Sequence, residues 1–158
     1  GVIASKKIAD FFDDNKMFCG LTYSAHPMGC AAAIAAIDAY KEDKVFENVL
    51  KVGKVLGEGL EALKAKHPCV GDVRYIGLFS IVEFVKDKET REPLVPFGKD
   101  PEGIMPKILG MLKAEGFYTY SHENMIHVSP PLIITEQELK EALQMLDKVM
   151  DSIDNMIK

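Results

Sequence analysis

Hydrophobic and polar positions along the chain follow two different periods, and the change of period separates predicted helices from predicted strands. Five segments carry helix patterns, either apolar residues at helical spacing or a run of alanines after a proline. Their expected bounds are residues 5–12, 27–40, about 45–66, about 101–115 and 135–157. Ser5 is placed to cap the first helix, Gly116 to end the fourth, and Thr135 with Glu138 to form a capping box on the last.

Residues of the β-branched and aromatic types crowd the middle of the chain. VGDVRYIGLFSIVEFV, residues 70–85, predicts one long strand that is bulged or broken at Gly77, and the charged KDKETREP after it predicts a turn. FYTYS and MIHVS predict two shorter strands, joined by a hairpin-like reversal at HEN. The opening GVIAS resembles a short apolar strand that has no partner nearby in sequence and indicates a fragment.

These elements together predict an α+β fold, in which a small antiparallel sheet of about three strands is covered by helices. The helix over residues 45–66 contains Gly53, Gly57 and Gly59, which weaken a helix. Tight packing against a neighbouring element is the expected reason that these glycines are present.

Composition and charge exclude some classes of function. The chain has 158 residues, of which 24 are acidic and 19 are basic, and no basic stripe indicates a nucleic-acid surface. No apolar run approaches the length of a membrane span, and the start lacks a signal-peptide pattern. Cys19, Cys30 and Cys69 form no CxxC pair, which favours a reduced, cytoplasmic setting.

The candidate chemistry centres on the polar loop in GLTYSAHPMGC. Pro27 suits the first turn of a helix, whose free backbone N–H groups attract anions, and the hydroxyls of Thr22 and Ser24 lie just before it. Both residues are therefore candidate phosphate ligands. The alternative, left open by the residues alone, is that Ser24 is only the helix N-cap and Thr22 only a turn residue.

The other histidines carry weaker signals. His67 precedes Pro68 at a predicted helix end and is interpreted as a solvated cap. His122 and His127 lie around the second hairpin, too far apart in pattern for a metal pair, so no metal site is predicted. The chain also lacks a Walker loop and a dinucleotide-binding fingerprint.

Three motifs in order carry a family resemblance: GLTYSAHPMGCAAAIAAI, then VGDVRYIGLFSIVEFVKDKETREPL, then EGFYTYSHENMIHVSPPLIITEQEL. The chain resembles the C-terminal part of class III pyridoxal-phosphate (PLP) aminotransferases, most closely the ω-amino acid:pyruvate and taurine:pyruvate group. The resemblance implies fold type I, with residues 1–42 as the trailing segment of a large cofactor-binding domain and residues 43–158 as the C-terminal small domain.

The same resemblance implies a homodimer that transfers an amino group from a donor to a keto acid such as pyruvate. Thr22, together with Ser24, would contact the phosphate of a PLP held mainly by the other subunit. The family's Schiff-base lysine would fall just upstream of Gly1, so the chain contains no catalytic residue and is expected to be inactive alone. Lys6 and Lys7 do not match the lysine position.

Substrate binding departs from the family pattern. Many relatives place an arginine for the substrate carboxylate or sulfonate just before the PPL segment, where this chain has FYTYSHEN and no arginine. Arg74 and His122 are the substitutes, whereas Arg91 is expected to face solvent. A structural salt bridge is an equal alternative for Arg74. This departure leaves a bulky amine or a diamine as possible donors.

One interpretation from another class remains beside the transaminase. In it the chain is a stand-alone, non-catalytic domain that dimerises or binds an anion through the Thr22 loop. An aminomutase of the same fold fits less well, because the loop and the RYIGLFSIVEF segment are closer to the transaminase branch. The unpaired GVIAS start favours the transaminase interpretation.

Overall fold

The computed structural model describes residues 2–20 and 22–157 and divides the chain into two compact units, with the division between Ala39 and Tyr40. Its helices are α1 (Lys6–Asp14), α2 (Pro27–Glu42), α3 (Val45–Lys66), α4 (Ile104–Ala114) and α5 (Glu136–Met156). Its strands are β1 (Val70–Ile76), β2 (Phe79–Asp87), β3 (Glu92–Pro93), β4 (Ser121–His122) and β5 (Met125–Val128).

The first unit is helical. Helix α1 starts after Ser5 as predicted, but the Ser5 side chain makes no capping hydrogen bond, and the helix continues to Asp14, past the predicted end. Residues 2–5 form no strand within the described part of the chain, and since the predicted strand needs a partner from elsewhere it stays a prediction; Gly1 lies outside the described residues. None of the described residues before Val45 is buried.

The segment predicted as one long strand is a hairpin. Strands β1 and β2 pair antiparallel, and Ile76 lies opposite Phe79, so only Gly77 and Leu78 form the turn. Gly77 has a φ of +56°, which the first central position of a type II′ turn requires. The sequence pattern located the break correctly at Gly77. It did not distinguish a bulge from a two-residue turn, because a single glycine between β-rich segments is typical of both.

The sheet has the strand order β1-β2-β5-β4, with the short β3 paired to β2. Strand β3 is formed by the end of the segment predicted to be a turn. Of the predicted strand at residues 117–121, only Ser121 is in a strand; it forms β4 with His122, the first residue of the predicted HEN reversal, and pairs with β5. The described sheet therefore has five strands, more than the three expected, in the α+β arrangement that was predicted.

One face of the sheet is buried and the other is open. Val73, Val82 and Ile126 occupy one row across β1, β2 and β5 and lie in the hydrophobic core. Helices α3, α4 and α5 supply the other half of this core. Since neighbouring positions on a strand point to opposite faces, the rows on either side of this one lie on the open face.

The ends of α3, the end of α4 and the start of α5 agree with the sequence signals. Helix α3 has the predicted bounds, and Gly116 has a φ of +92° just after the end of α4. Thr135 and Glu138 form the complete capping box of α5. The start of α4 was predicted about three residues early, because the Asp100 carboxylate, which accepts from the N–H groups of Ile104 and Met105, was not recognised as its anchor.

The interpretation of His67 as a solvated cap is wrong. Its backbone N–H caps α3 by donating to the Leu63 carbonyl, but its side chain is only 1% exposed.

Among the described residues, every helix is too short or too polar to cross a membrane.

Candidate functional site

The polar loop before α2 is a tight turn. Residues 22–25 form the turn, and the His26 N–H donates to the Tyr23 carbonyl at 3.3 Å. Ala25 adopts a φ of +54°, which is uncommon for a residue with a side chain. Leu21, which belongs to the same loop, lies outside the described residues.

His26, rather than Ser24, occupies the N-cap position of α2. The His26 carbonyl accepts the first intrahelical hydrogen bond, from the Cys30 N–H at 2.9 Å, and Pro27 follows as the first helical residue. The alternative that Ser24 is simply the helix N-cap is therefore wrong. Met28 and Gly29 come next, and their N–H groups have no acceptor within the helix because of helix geometry.

The start of α2 can accept an anion such as a phosphate group. Thr22 is exposed, and the space around the Cβ position of Gly29 is open to at least 4 Å. An anion approaching the start of α2 would meet two N–H groups and the positive end of the helix dipole. Ser24 already takes part in an interaction within the structure, which leaves Thr22 as the stronger candidate ligand.

Arg74 is held by carboxylates on the open face of the sheet. Its guanidinium lies 2.9 Å from Glu83 and 3.3 Å from Asp72, and it also contacts the Met125 sulfur at 3.2 Å. Lys64 lies on the other side of Asp72, at 2.8 Å. The hydrogen bond from Lys64 lowers the pKa of Asp72 and outweighs the opposing effect of burial, so Asp72 is an ionised partner for Arg74.

His122 lies on the same face as Arg74. In the sheet register Asp72 pairs with Glu83, Glu83 with Met125, and Met125 with His122, so these four residues form one row across the strands. Because the guanidinium of Arg74 reaches Met125, it extends to the strand next to His122. The structure thus brings the two predicted substrate residues to one surface.

A polar cavity of about 510 Å³ surrounds Arg74. Arg91, expected to face solvent in a turn, is exposed and also lines this cavity, as do Lys64 and Lys88. Four cationic side chains thus line the same cavity as the carboxylates of Asp72 and Glu83. The cavity has an excess of positive charge, although the two carboxylates compete with any incoming anion for Arg74.

Sequence reasoning missed an aromatic pair next to this surface. Tyr120 stacks on His127, with ring centroids 4.2 Å apart and an interplanar angle of 15°. Among the described residues, the Nδ1 atom of His127 is the buried side-chain polar atom without a hydrogen-bond partner. Both rings line an apolar cavity of about 440 Å³. The alternation of side chains along β5 puts His127 on the same face as Met125, and this sequence signal could have located His127 on the open face.

The two parts of the candidate chemistry fall in different units: the Thr22 loop in the first, Arg74 and His122 in the second. Each is a binding element for an anion, and neither contains a nucleophile with an adjacent general base. The chemical capacity of the described residues is therefore to bind and orient a phosphate-bearing or acidic ligand.

A comparison with protein families identifies this arrangement. The family model for class III aminotransferases matches residues 1–150. The solved structures with similar folds are transaminases of PLP fold type I. The chain therefore belongs to the class III aminotransferase family, whose members use PLP.

Several relatives have known names. A taurine–pyruvate aminotransferase from Bilophila wadsworthia is 34% identical over 151 residues, which is 91% of this chain and 31% of that protein. An ethanolamine-phosphate phospho-lyase homolog from Caenorhabditis elegans is 32% identical over 152 residues, or 94% of this chain and 31% of that protein.

The fold is also similar to that of solved transaminase structures. A taurine:2-oxoglutarate aminotransferase from Bifidobacterium kashiwanohense, solved in complex with PLP and glutamate, superposes with a TM-score of 0.89 at 44% identity. The match covers 97% of this chain and 34% of that one. The chain thus spans about a third of the length of the relatives it matches.

Proposed function

We propose that this chain is the C-terminal part of a PLP-dependent transaminase that moves an amino group from an ω-amino acid or amine to a keto acid such as pyruvate. The observation that carries this proposal is the family match over residues 1–150, together with similarity to taurine aminotransferases at 34% and 44% identity. Since the chain spans about a third of these relatives, the activity is assigned to the longer protein.

In this proposal the first unit completes the cofactor site of a homodimer. Thr22 donates its hydroxyl to the phosphate of PLP bound mainly by the second subunit, and the N–H groups at the start of α2 face the same anion. Ser24 is the second candidate ligand. When bound, PLP supplies the electron sink that makes amino-group transfer possible. The exposed apolar residues of α1 and α2, including Phe11 and Ile34, support packing of this unit within a larger domain.

The second unit supplies substrate contacts. Arg74 and His122 are placed to attract the acidic end of a donor, a carboxylate or a sulfonate. Arg74 already has two carboxylate partners, which favours a role in holding the sheet together. His122, by contrast, is exposed at the edge of the sheet. His122 is therefore the better candidate for direct contact.

The chain by itself is proposed to be inactive. Lys6, one of the two lysines nearest the start, lies on the exposed helix α1 and pairs with Asp10 at 2.7 Å, a solvated position unsuited to a Schiff-base lysine. Without that lysine the cofactor cannot be held covalently for the reaction. We also propose a cytoplasmic location, which is supported by Cys19, Cys30 and Cys69 all being free.

The similarity to a phospho-lyase homolog favours one competing reaction, elimination from a phosphorylated amine. A stand-alone domain that only dimerises or binds an anion is the alternative from another class. Both would place an anion near the Thr22 loop, so the reaction itself must separate them.

The test uses the full-length protein that contains this chain, purified with PLP. Taurine, β-alanine, an uncharged amine and phosphoethanolamine are offered as donors with pyruvate, and alanine and phosphate are measured. Alanine formation from taurine or β-alanine is expected. Phosphate release without alanine would replace the transaminase with a lyase, and no turnover with any donor would favour the non-catalytic alternative. The 158-residue chain is assayed in parallel, and turnover there would contradict its proposed inactivity.

A further inference from the structure

The buried histidine His67 links three elements of the second unit. It lies between α3 and β1, and its ring contacts two aspartates of α5. Its Nε2 atom is 2.7 Å from Asp147 and its Nδ1 atom is 2.7 Å from Asp154. The His67 side chain is 1% exposed, and the Asp154 side chain is 13% exposed, so the ring itself is shielded from water.

Both carboxylates that face the ring are ionised acceptors. Hydrogen bonds from Lys66 and His67 lower the pKa of Asp147. Burial opposes ionisation of Asp154, but hydrogen bonds from Cys69 and His67 outweigh it, so the pKa of Asp154 is lowered too. Ionised carboxylates only accept hydrogen bonds, and a neutral imidazole carries a single N–H. One of the two contacts would then place a nitrogen lone pair against a carboxylate oxygen.

We propose that the folded chain holds His67 as an imidazolium, and that this proton latches the last turns of helix α5 to the connection between α3 and β1. Both ring nitrogens then donate, one to Asp147 and one to Asp154. The two aspartates are seven residues apart and lie on one face of α5, so a single ring fixes two successive turns.

The charges around the ring favour the extra proton. The Lys66 ammonium lies 2.6 Å from Asp147 and 4.0 Å from Asp151. Asp151 lies 3.8 Å from the His67 Nδ1 atom. Three carboxylates thus face one ammonium, and a neutral ring would leave a larger excess of negative charge than an imidazolium does.

The remaining neighbours of the ring add no positive charge. The Cys69 backbone N–H donates to the second oxygen of Asp154 at 2.9 Å. Burial raises the pKa of the Cys69 thiol, which therefore stays neutral. Lys88 is near enough to affect that thiol, but its ammonium donates to the Lys64 carbonyl on α3.

A divalent metal ion is the competing occupant. The ligand atoms of His67, Asp151 and Asp154 all lie within 4.8 Å of one another. Two ligands on a tetrahedral zinc with bonds of about 2.0–2.1 Å would be roughly 3.3 Å apart. The 2.7 Å between His67 Nδ1 and Asp154 is shorter and is a normal hydrogen-bond length. The spacing therefore fits a proton better than a metal ion.

The aspartates of the latch lose their charge at low pH. Both have lowered pKa values in the fold, so their contribution to stability is lost as the pH falls through those values. The ring proton is equally necessary, because without it one of the two contacts would set a nitrogen lone pair against a carboxylate oxygen.

The first experiment reads the protonation state directly. Nitrogen-15 NMR of the histidine side chains in the 158-residue chain, at neutral pH, distinguishes an imidazolium from either neutral tautomer. The chain has four histidines, so His67→Gln assigns the signal. We expect both ring nitrogens of His67 to carry hydrogen. A neutral His67 would overturn the proposal, whatever the stability of the variant.

The second experiment measures the function of the latch. In urea unfolding, His67→Gln should raise the unfolding equilibrium constant about tenfold or more in mildly acidic buffer, and by a much smaller factor in alkaline buffer. Asp154→Asn should have a comparable effect. Glu141→Gln is the control, because it neutralises an exposed carboxylate of the same helix that pairs with Gln137 and is not among the groups that contact the ring.

Backbone hydrogen exchange in the same variants locates the effect. The last two turns of α5 should exchange faster in His67→Gln than in Glu141→Gln. An equal loss of stability at all pH values would contradict a proton-dependent latch. So would a stoichiometric metal ion in the purified chain whose removal by a chelator lowers stability in the wild type but not in His67→Gln.

Discussion

Gly53 on helix α3 lies directly against the backbone of Gly77 in the turn between β1 and β2. A Cβ atom added at residue 53 would be 2.7 Å from the Gly77 carbonyl oxygen. Such a distance is too short for any side chain, and the obstacle is backbone rather than a flexible side-chain end. The close approach of helix and hairpin turn therefore depends on glycine at both positions.

Gly53→Ala should destabilise the chain by about 1–3 kcal/mol, since the added methyl group must push α3 away from the hairpin turn. Equilibrium unfolding in urea measures this. The control is Gly110→Ala on α4, where an added Cβ meets nothing within 4 Å. That substitution should stabilise by about 0.5–1 kcal/mol through helix propensity alone. A neutral Gly53→Ala would show that the helix and turn can separate without loss.

The capping box of α5 gives a second prediction. The Thr135 hydroxyl accepts from the Glu138 N–H at 3.2 Å, and the Glu138 carboxylate accepts from the Thr135 N–H at 2.9 Å. Thr135→Ala should lower the free energy of unfolding by about 1 kcal/mol. Ser5→Ala is the comparison, because Ser5 starts α1 without a side-chain capping bond and should be close to neutral. Equal effects of the two substitutions would contradict the capping argument.

The helices were predictable because their signals are local. Gly116 and the Thr135–Glu138 pair mark helix ends through contacts within a few residues, and the structure has them as expected. The β1–β2 hairpin was mistaken for one strand because pairing between its halves is a non-local property. Strand β3 was missed because it has only two residues, too few to show the alternation of apolar and polar side chains that marks a strand.

The candidate site was predictable only in part. The Thr22 loop could be located because a helix start with polar residues before it is a sequence-local feature. The ion pairs that bind Arg74 depend on the sheet register, which places Glu83 and Met125 beside it. The two carboxylates around His67 come from α5, some 80 residues away in sequence, so no local pattern predicted them.

Cysteine reactivity tests the burial of Cys69, the residue just before β1. Cys69 is fully buried and burial raises its thiol pKa, whereas Cys19 and Cys30 are exposed. The thiolate is the reactive form, so Cys69 should not react with a thiol reagent in the native chain. A colorimetric thiol count should give two reactive groups in native buffer and three in guanidinium chloride. Three fast-reacting thiols in native buffer would contradict the packing described.

The Thr22 hydroxyl should contribute to cofactor affinity. In the full-length protein, Thr22→Ala is expected to raise the Kd for PLP about tenfold or more, because a hydrogen bond to a charged group contributes about 1.5–3 kcal/mol. Thr22→Ser retains the hydroxyl and should bind PLP nearly as well as wild type. Spectroscopic titration of the apoenzyme measures both. If the alanine and serine variants bind equally, the hydroxyl has no part in phosphate binding.

The last prediction separates the roles of His122 and Arg74. If His122 contacts the acidic end of the donor, His122→Ala in the full-length protein should raise the KM for taurine or β-alanine about fivefold or more. The KM for an uncharged amine should stay nearly constant, because that donor has no group to lose a partner. Steady-state kinetics with the two kinds of donor provide the comparison.

Arg74→Ala should behave differently, since Arg74 is already paired with Glu83 and Asp72. If Arg74 has a structural role, Arg74→Ala should lower the free energy of unfolding and should change the KM for acidic and uncharged donors by similar factors. A selective rise in the KM for acidic donors in Arg74→Ala, with no change in His122→Ala, would transfer the substrate contact from the histidine to the arginine. An unchanged KM in both variants would remove both residues from substrate binding.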